Sequence, residues 1–264
     1  MKTFTGEFDK LKLFLEKGTN FAFSRFSDGE LFIMQNKKVV LAPGHWQVGE
    51  KAGYATYPPE EQKEFIPEKH SEHRKELIEA FQFQHENYYI GLSGRKDVGD
   101  DDFEWQIKLR GSDDETNLTF ANVFINDNYK RYVHEIVPML KDRDIIFVVN
   151  ERALLEGLPF KIKKDFRIGS NCIVNNHDTV EQVRKYIKDN NIKDHVILCG
   201  AASLSNCITH KCFEENQSNT FLDVGSTLNP YMGDGMNGWV HTRGYLTHFW
   251  LNSGNPYGTQ IDVW

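Results

Sequence analysis

Residues 144–150 read Asp144-Ile145-Ile146-Phe147-Val148-Val149-Asn150, and that unbroken apolar run decides the fold class. A strand with one wet face alternates apolar and polar residues. A strand apolar on both sides is covered on both sides, the situation of a parallel sheet held between helices. His195–Cys199 and Thr220–Val224 repeat the pattern, and residues 178–190 and 203–215 carry apolar positions at helical spacing. Strands alternating with helices imply βαβ units, hence an α/β fold with a Rossmann-like, mainly parallel sheet flanked by helices.

Toward the N-terminus the signals are shorter. Phe8, Leu11, Phe14 and Leu15 place a helix over 7–17 that Gly18 ends. Phe21–Phe26 alternates as a half-buried strand, and Ser27 opens a helix running to about Gln35. Ala42–Pro59, with its Gly and Pro residues, reads as a long loop. A helix over 67–84 and a strand over Tyr88–Leu92 follow. The acidic, turn-rich stretch Asp97–Asp114, with Trp105 in its middle, reads as a loop, either with a role as a lid or acceptor-binding loop or as a solvated excursion. No repeat or low-complexity tract interrupts the chain, so one domain is expected over residues 1–264.

Bulk properties exclude some functions. A formal net charge of -7 gives non-specific nucleic-acid binding nothing to draw on, although a local basic pocket remains open. No stretch approaches the roughly 18 apolar residues of a membrane span. The opening Met1-Lys2-Thr3-Phe4 lacks the apolar core of a signal peptide, and the four cysteines form no CxxC pair, so the expected compartment is the cytoplasm.

Three segments carry candidate chemistry. Arg25-Phe26-Ser27-Asp28-Gly29-Glu30 stands at a strand-to-helix junction, where ligands of open α/β sheets bind. Asp28 and Glu30 can share a hard divalent ion through oxygen ligands, Gly29 permits close approach, and Arg25 offers a bidentate partner for phosphate. Ser27-x-x-Glu30 is equally a capping box, and the helix dipole alone favours acids in a first turn; spacing leaves both readings open. Leu198-Cys199-Gly200-Ala201-Ala202-Ser203 follows a buried strand and opens a helix. Its small residues suit either an anion held by backbone amides or a turn that needs tight packing. Phe221-Leu222-Asp223-Val224-Gly225-Ser226 ends a strand on a carboxylate, fit for a general base, for a ribose hydroxyl or simply for a turn. Trp239, Tyr245, Phe249 and Trp250 are suited to stacking on sugars or to packing a core. No GxSxG or P-loop is present, and the GxGxxG fingerprint is incomplete.

Taken together, these segments resemble the GT-D-fold glycosyltransferases, whose members carry an Arg-Phe-x-Asp-Gly-Glu segment, a late Gly-Ala-rich turn and an Asp-[Val/Ile]-Gly strand end. The matches here are Arg25–Glu30, Gly200-Ala201-Ala202 and Asp223-Val224-Gly225-Ser226, in that order. The resemblance implies a nucleotide-diphosphate sugar donor, with UDP favoured by family habit, and a Mn²⁺ or Mg²⁺ ion held with help from Asp28 and Glu30. It makes Arg25 a phosphate partner and places Gly200, Ala201, Ala202 and Ser203 along the nucleotide pocket. Where some members have further acids beyond the Asp-[Val/Ile]-Gly element, this chain has Thr227-Leu228-Asn229-Pro230. Asn cannot act as a carboxylate base, so Asp223 is the first choice for that role and Asp234 the second. The expected function is metal-dependent transfer of a hexose or pentose to a hydroxyl of a glycan or glycoprotein acceptor, with inversion. The alternative is a nucleotide- or sugar-binding module that keeps the crevice without the chemistry. A methyltransferase ranks lower, because its first Gly-rich turn should come early and be followed by an acidic ribose partner.

Overall fold

The computed structural model describes residues 2–55, 57, 62–111 and 115–232. The strands are β1 (Ala22–Phe26), β2 (Val39–Ala42), β3 (His45–Val48), β4 (Lys51–Gly53), β5 (Lys63–Phe65) and β6 (Tyr88–Leu92). They continue as β7 (Leu118–Phe120), β8 (Ile145–Asn150), β9 (Lys164–Ile168), β10 (Val196–Cys199) and β11 (Thr220–Asp223). The helices are α1 (Phe4–Lys17), α2 (Asp28–Met34), α3 (Ser71–Gln82), α4 (Arg95–Val98) and α5 (Asp100–Arg110). After them come α6 (Tyr129–Arg131), α7 (Cys172–Asn175), α8 (Thr179–Asp189) and α9 (Ser203–Glu215).

Seven strands form one parallel sheet in the order β7-β6-β1-β11-β10-β8-β9. The expected α/β architecture with a parallel sheet between helices is the one observed. Burial explains the sequence signature: every residue of β8, β10 and β11 is buried. Phe23, Phe147, Leu198 and Leu222 face one layer, with α1 and the helical turns around 129–140. Ala22, Ile146, Ile197 and Phe221 face the other, with α3, α8 and α9. Each large side chain removed from water contributes roughly 1.5–3 kcal/mol, which is why the apolar runs tolerate no polar interruption. α1 starts with the Thr3 hydroxyl accepting the Gly6 amide at 3.1 Å and ends on Gly18 in the left-handed region, as the spacing indicated.

The topology places β1 and β11, far apart in sequence, side by side, with Ala22 opposite Phe221 and Phe23 opposite Leu222. Their carboxyl ends, with those of β8 and β10, open on one edge of the sheet. Phe21–Phe26 is therefore a central strand, not a half-buried one: four of the five residues of β1 are buried.

Two stretches read as loops are structured. The first, Ala42–Pro59, contributes to a second sheet, antiparallel, in the order β4-β3-β2-β5. The second, Asp97–Asp114, holds the end of α4 and all of α5. Asp100, Asp101 and Asp102 occupy the first turn of α5, where the helix dipole favours negative charge. The inward residues Phe103, Gln106 and Arg110 have helical spacing, but two of them are polar, which hides the period. Gln106 satisfies both backbone groups of Ser93, and Arg110 donates to the carbonyls of Phe81 and Phe83. Tertiary partners thus replace apolar burial.

All four cysteines are free and buried. No helix among the described residues is long and apolar enough to cross a membrane.

Candidate active-site cleft

The first site segment is set by α2. The amide of Ser27, its N-cap, donates to Glu30 Oε2 at 3.0 Å, the reciprocal half of the capping box. The other oxygen, Oε1, accepts the hydroxyl of Ser203 at 2.7 Å. Glu30, 7% exposed, therefore joins the start of α2 to the start of α9. Asp28 takes the opposite course, since side chains two apart on a helix do not face the same way. It is exposed, its Oδ1 accepts the Gly29 amide at 2.9 Å, and Oδ2 has no partner among the described residues.

The other two segments meet this one. Asn206 of α9 donates to the Arg25 carbonyl at 2.6 Å and to the Ser24 hydroxyl at 3.0 Å. Asp223 Oδ2 accepts the Arg25 amide at 3.3 Å, and Oδ1 accepts the Gly225 amide at 3.0 Å. The Arg25 guanidinium lies directly over Gly225, whose φ is +49°; a Cβ there would sit 2.8 Å from Arg25 Cζ. Both the left-handed backbone and the close approach call for glycine. Arg25 Nη2 donates to Ser27 Oγ at 3.1 Å, while its buried Nε, 3.9 Å from Asp223 Oδ1, makes no hydrogen bond.

These segments border a cleft of about 450 Å³ at the carboxyl ends of the strands. Asp28, Gly29, Gly200, Ala201, Ala202, Ser203 and Ser226 line one side, and Asn150 and Ile168, the last residues of β8 and β9, line the floor. Ala202 has φ +44° and ψ −138°, a conformation costly for a residue with a Cβ and typical of functional turns. In this turn the Gly200 amide donates to Val148 and the Ala201 amide to the Ser205 hydroxyl. The amides of Ala202 and Ser203 have no partner among the described residues. They open the thirteen-residue helix α9, where free amides and the dipole both favour an anion.

The opposite wall comes from the antiparallel sheet. Val39, Leu41, Trp46, Val48, Lys63 and Phe65 all face the cleft. None of these was singled out in the sequence, although Pro43-Gly44 between two alternating stretches is a hairpin signal.

The sequence-derived residues do not all reach the cleft. Asp28 and the Gly200–Ser203 turn line it, whereas Arg25, Glu30 and Asp223 stand behind it. Asp223 is 3% exposed, and burial pushes its carboxyl up from the ordinary 3.8 to about 7, against the pull of the Arg25 charge. Asp234, Trp239, Tyr245, Phe249 and Trp250 lie outside the described residues. Among the described residues no group of three or more His, Cys, Asp or Glu side chains is placed to hold a metal ion.

No protein-family model matches the sequence, and no curated protein matches it either. Solved structures do share the fold. A glycosyltransferase (DUF1792) from Streptococcus sanguinis superposes with a TM-score of 0.54 at 12% identity, over 89% of this chain and 83% of that one. A structure of domain of unknown function 1792, said to have a distinct glycosyltransferase fold, gives 0.52 at 12% identity over 97% and 89%. A selenomethionine-substituted structure of that domain gives 0.54 at 13% over the same shares. The chain therefore has the fold of these glycosyltransferase structures, reached with a very different sequence.

Proposed function

We propose that the chain is a glycosyltransferase of the GT-D type that moves a hexose or pentose from a nucleotide-diphosphate sugar, UDP-sugar favoured, to a hydroxyl of a glycan or glycoprotein acceptor. The observation that carries this reading is the meeting of three distant segments, 25–30, 200–203 and 223–226, around one cleft at the strand ends. The shared fold supports it.

The unpartnered amides of Ala202 and Ser203 receive the diphosphate at the start of α9, as fixed donors that need no reorganisation when charge develops on the leaving oxygens. Arg25, with a buried Nε that has no hydrogen-bond partner, adds positive charge behind the turn. A Mn²⁺ or Mg²⁺ ion would be held by Asp28, a carboxylate with a free oxygen at the cleft, with donor phosphate oxygens completing its shell, and would supply Lewis-acid stabilisation of the leaving group. Glu30, with both oxygens engaged by Ser27 and Ser203, fixes the geometry that sets Asp28 and the amides along the same side of the cleft.

A general base must come within hydrogen-bond reach of the proton it takes. Asp223 is buried behind the cleft and holds the Arg25 and Gly225 amides, so its place is a positioning one. Of the two bases suggested by the sequence, that leaves Asp234, and a base on the face opposite the leaving group gives inversion.

The test is release of nucleoside diphosphate from a panel of nucleotide sugars, with Mn²⁺ or with a chelator. One donor should turn over with the metal, and Asp28→Asn should lower the rate at least about a hundredfold without changing the melting temperature. Turnover of no donor, with binding intact, would favour a module that binds without chemistry.

A further inference from the structure

The antiparallel sheet has a structure of its own on the face it turns to the cleft. Its register sets two cross-strand rows. Val48, Val39 and Phe65 form the inner row, wholly apolar; Trp46, Leu41 and Lys63 form the outer one. All six line the cleft. In the outer row the backbones that carry an aromatic ring and a cation stand two strands apart, about 10 Å at the usual strand spacing, and the ring leans over β4, away from the cation.

Trp46 is backed in an unusual way. Its neighbour on β4 is Gly53, and a Cβ on Gly53 would sit 2.7 Å from Trp46 Nε1 and 2.9 Å from Cε2. The indole thus lies against bare backbone, while the half-buried side chain still borders the cleft. Lys63 is exposed, and it is the one cation among the described residues that line the cleft. Its charge reaches the cleft floor, where it opposes the rise that burial imposes on the Cys172 thiol.

We propose that this sheet is the nucleotide-binding wall of the cleft: the donor's base stacks on Trp46 and its diphosphate pairs with Lys63, opposite the Ala202 and Ser203 amides. The inference rests on the glycosyltransferase reading and adds its recognition element. A base and its diphosphate present a flat π face and a strong anion, the two features that an aromatic ring and a cation on one wall complement, and the flexible four-carbon stem of Lys63 lets its charge reach across the separation. Stacking tolerates any base, so Trp46 supplies affinity without choosing among the bases. Lys63 acts as a point charge that follows the phosphates.

Calorimetric titration of the full chain with UDP, GDP, ADP and dTDP, and with the matching nucleosides, in the presence of Mn²⁺, tests this. Wild type should bind at least one of the diphosphates. Trp46→Ala should weaken that diphosphate and its nucleoside alike, by about tenfold, while Trp46→Phe keeps most of the affinity. Lys63→Met should weaken the diphosphate by about tenfold and leave the nucleoside unchanged. If wild type binds a diphosphate and Lys63→Met and Trp46→Ala bind it equally well, this inference fails and the glycosyltransferase reading stands. A Trp46 effect confined to the acceptor KM would also overturn it, since the ring would then serve a sugar. Binding of none of the ligands by wild type would remove both. Should Trp46→Ala fail to fold, Trp46→Leu, which keeps an apolar side chain but removes the aromatic face, should weaken the diphosphate and its nucleoside alike, and with Lys63→Met it still decides.

Discussion

The two sheets of this molecule are built on different terms. In β8, β10 and β11 every residue is buried, and the strands are held by helices on both sides. In β3 and β4 no residue is fully buried, and each strand has only three or four residues. The parallel sheet is a frame whose order follows from apolar burial. The antiparallel sheet is a wall, held by its own ladder, by Val39 and Phe65, which join the buried core, and by contacts such as the Asn171 side chain donating to the Glu64 carbonyl at 3.2 Å. On the reading proposed above, stability and recognition are thereby divided: one sheet fixes where the strand tips meet, and the other supplies side chains that line the cleft.

This division can be broken by experiment. The largest effect should come from Phe147→Ala in the frame, which empties a fully buried ring site and should cost about 3–5 kcal/mol of global stability. Leu41→Ala in the wall, at a half-buried position, should cost less than about 2 kcal/mol and speed amide exchange in β2, β3 and β5 alone. Equal losses in denaturant melts would mean the two sheets unfold as one unit.

The next effect depends on pH. The folded Asp223 carboxyl titrates near 7 against 3.8 when free, so the folded state holds its proton more tightly. Its contribution to stability is therefore present at low pH and declines as pH rises from about 4 to about 7, by up to about 4 kcal/mol at about 1.4 per pH unit. Asp223→Asn removes that titration. The stability of wild type relative to the variant should fall across this window and flatten above it; a flat difference would show an ordinary carboxyl at Asp223.

Glu30→Gln should be milder. It weakens the acceptor that binds the Ser27 amide and the Ser203 hydroxyl, a loss of about 1–2 kcal/mol visible as a lower melting temperature, together with slower transfer. Unchanged melting would separate the joint between α2 and α9 from the frame. Smallest is Gly29→Ala. A Cβ there meets nothing within 4 Å, so the fold should gain up to about 1 kcal/mol of helix propensity. Donor KM should rise all the same if the ligand passes over Gly29. A variant that is more stable and binds the donor as before would place the ligand elsewhere along the cleft.

The legibility of these regions follows the same division. The runs at 144–150, 195–199 and 220–224 announce buried strands because each residue meets the same apolar surroundings, whatever its neighbours in space. The helix over 203–215 and the end of α1 at Gly18 were equally readable from local spacing and caps. α5 was missed because its inward face carries Gln106 and Arg110, whose value depends on carbonyls brought in from Ser93, Phe81 and Phe83. The antiparallel sheet was missed because half-exposed strands of three or four residues give weak patterns, with Gly and Pro at the turns between them.

The sequence by itself determined the layered α/β frame and the three segments at its strand tips, since periodic burial, helix caps and tight turns are local demands on residue type. Only the tertiary structure decided which of those residues face the cleft. Asp28 turns out and Glu30 turns in because neighbours two apart on a helix diverge, and Asp223 is drawn beneath Arg25 by a strand pairing that joins residues 22 and 221. The partner of a polar side chain is a long-range choice, made by the order of strands and not by the letters beside it.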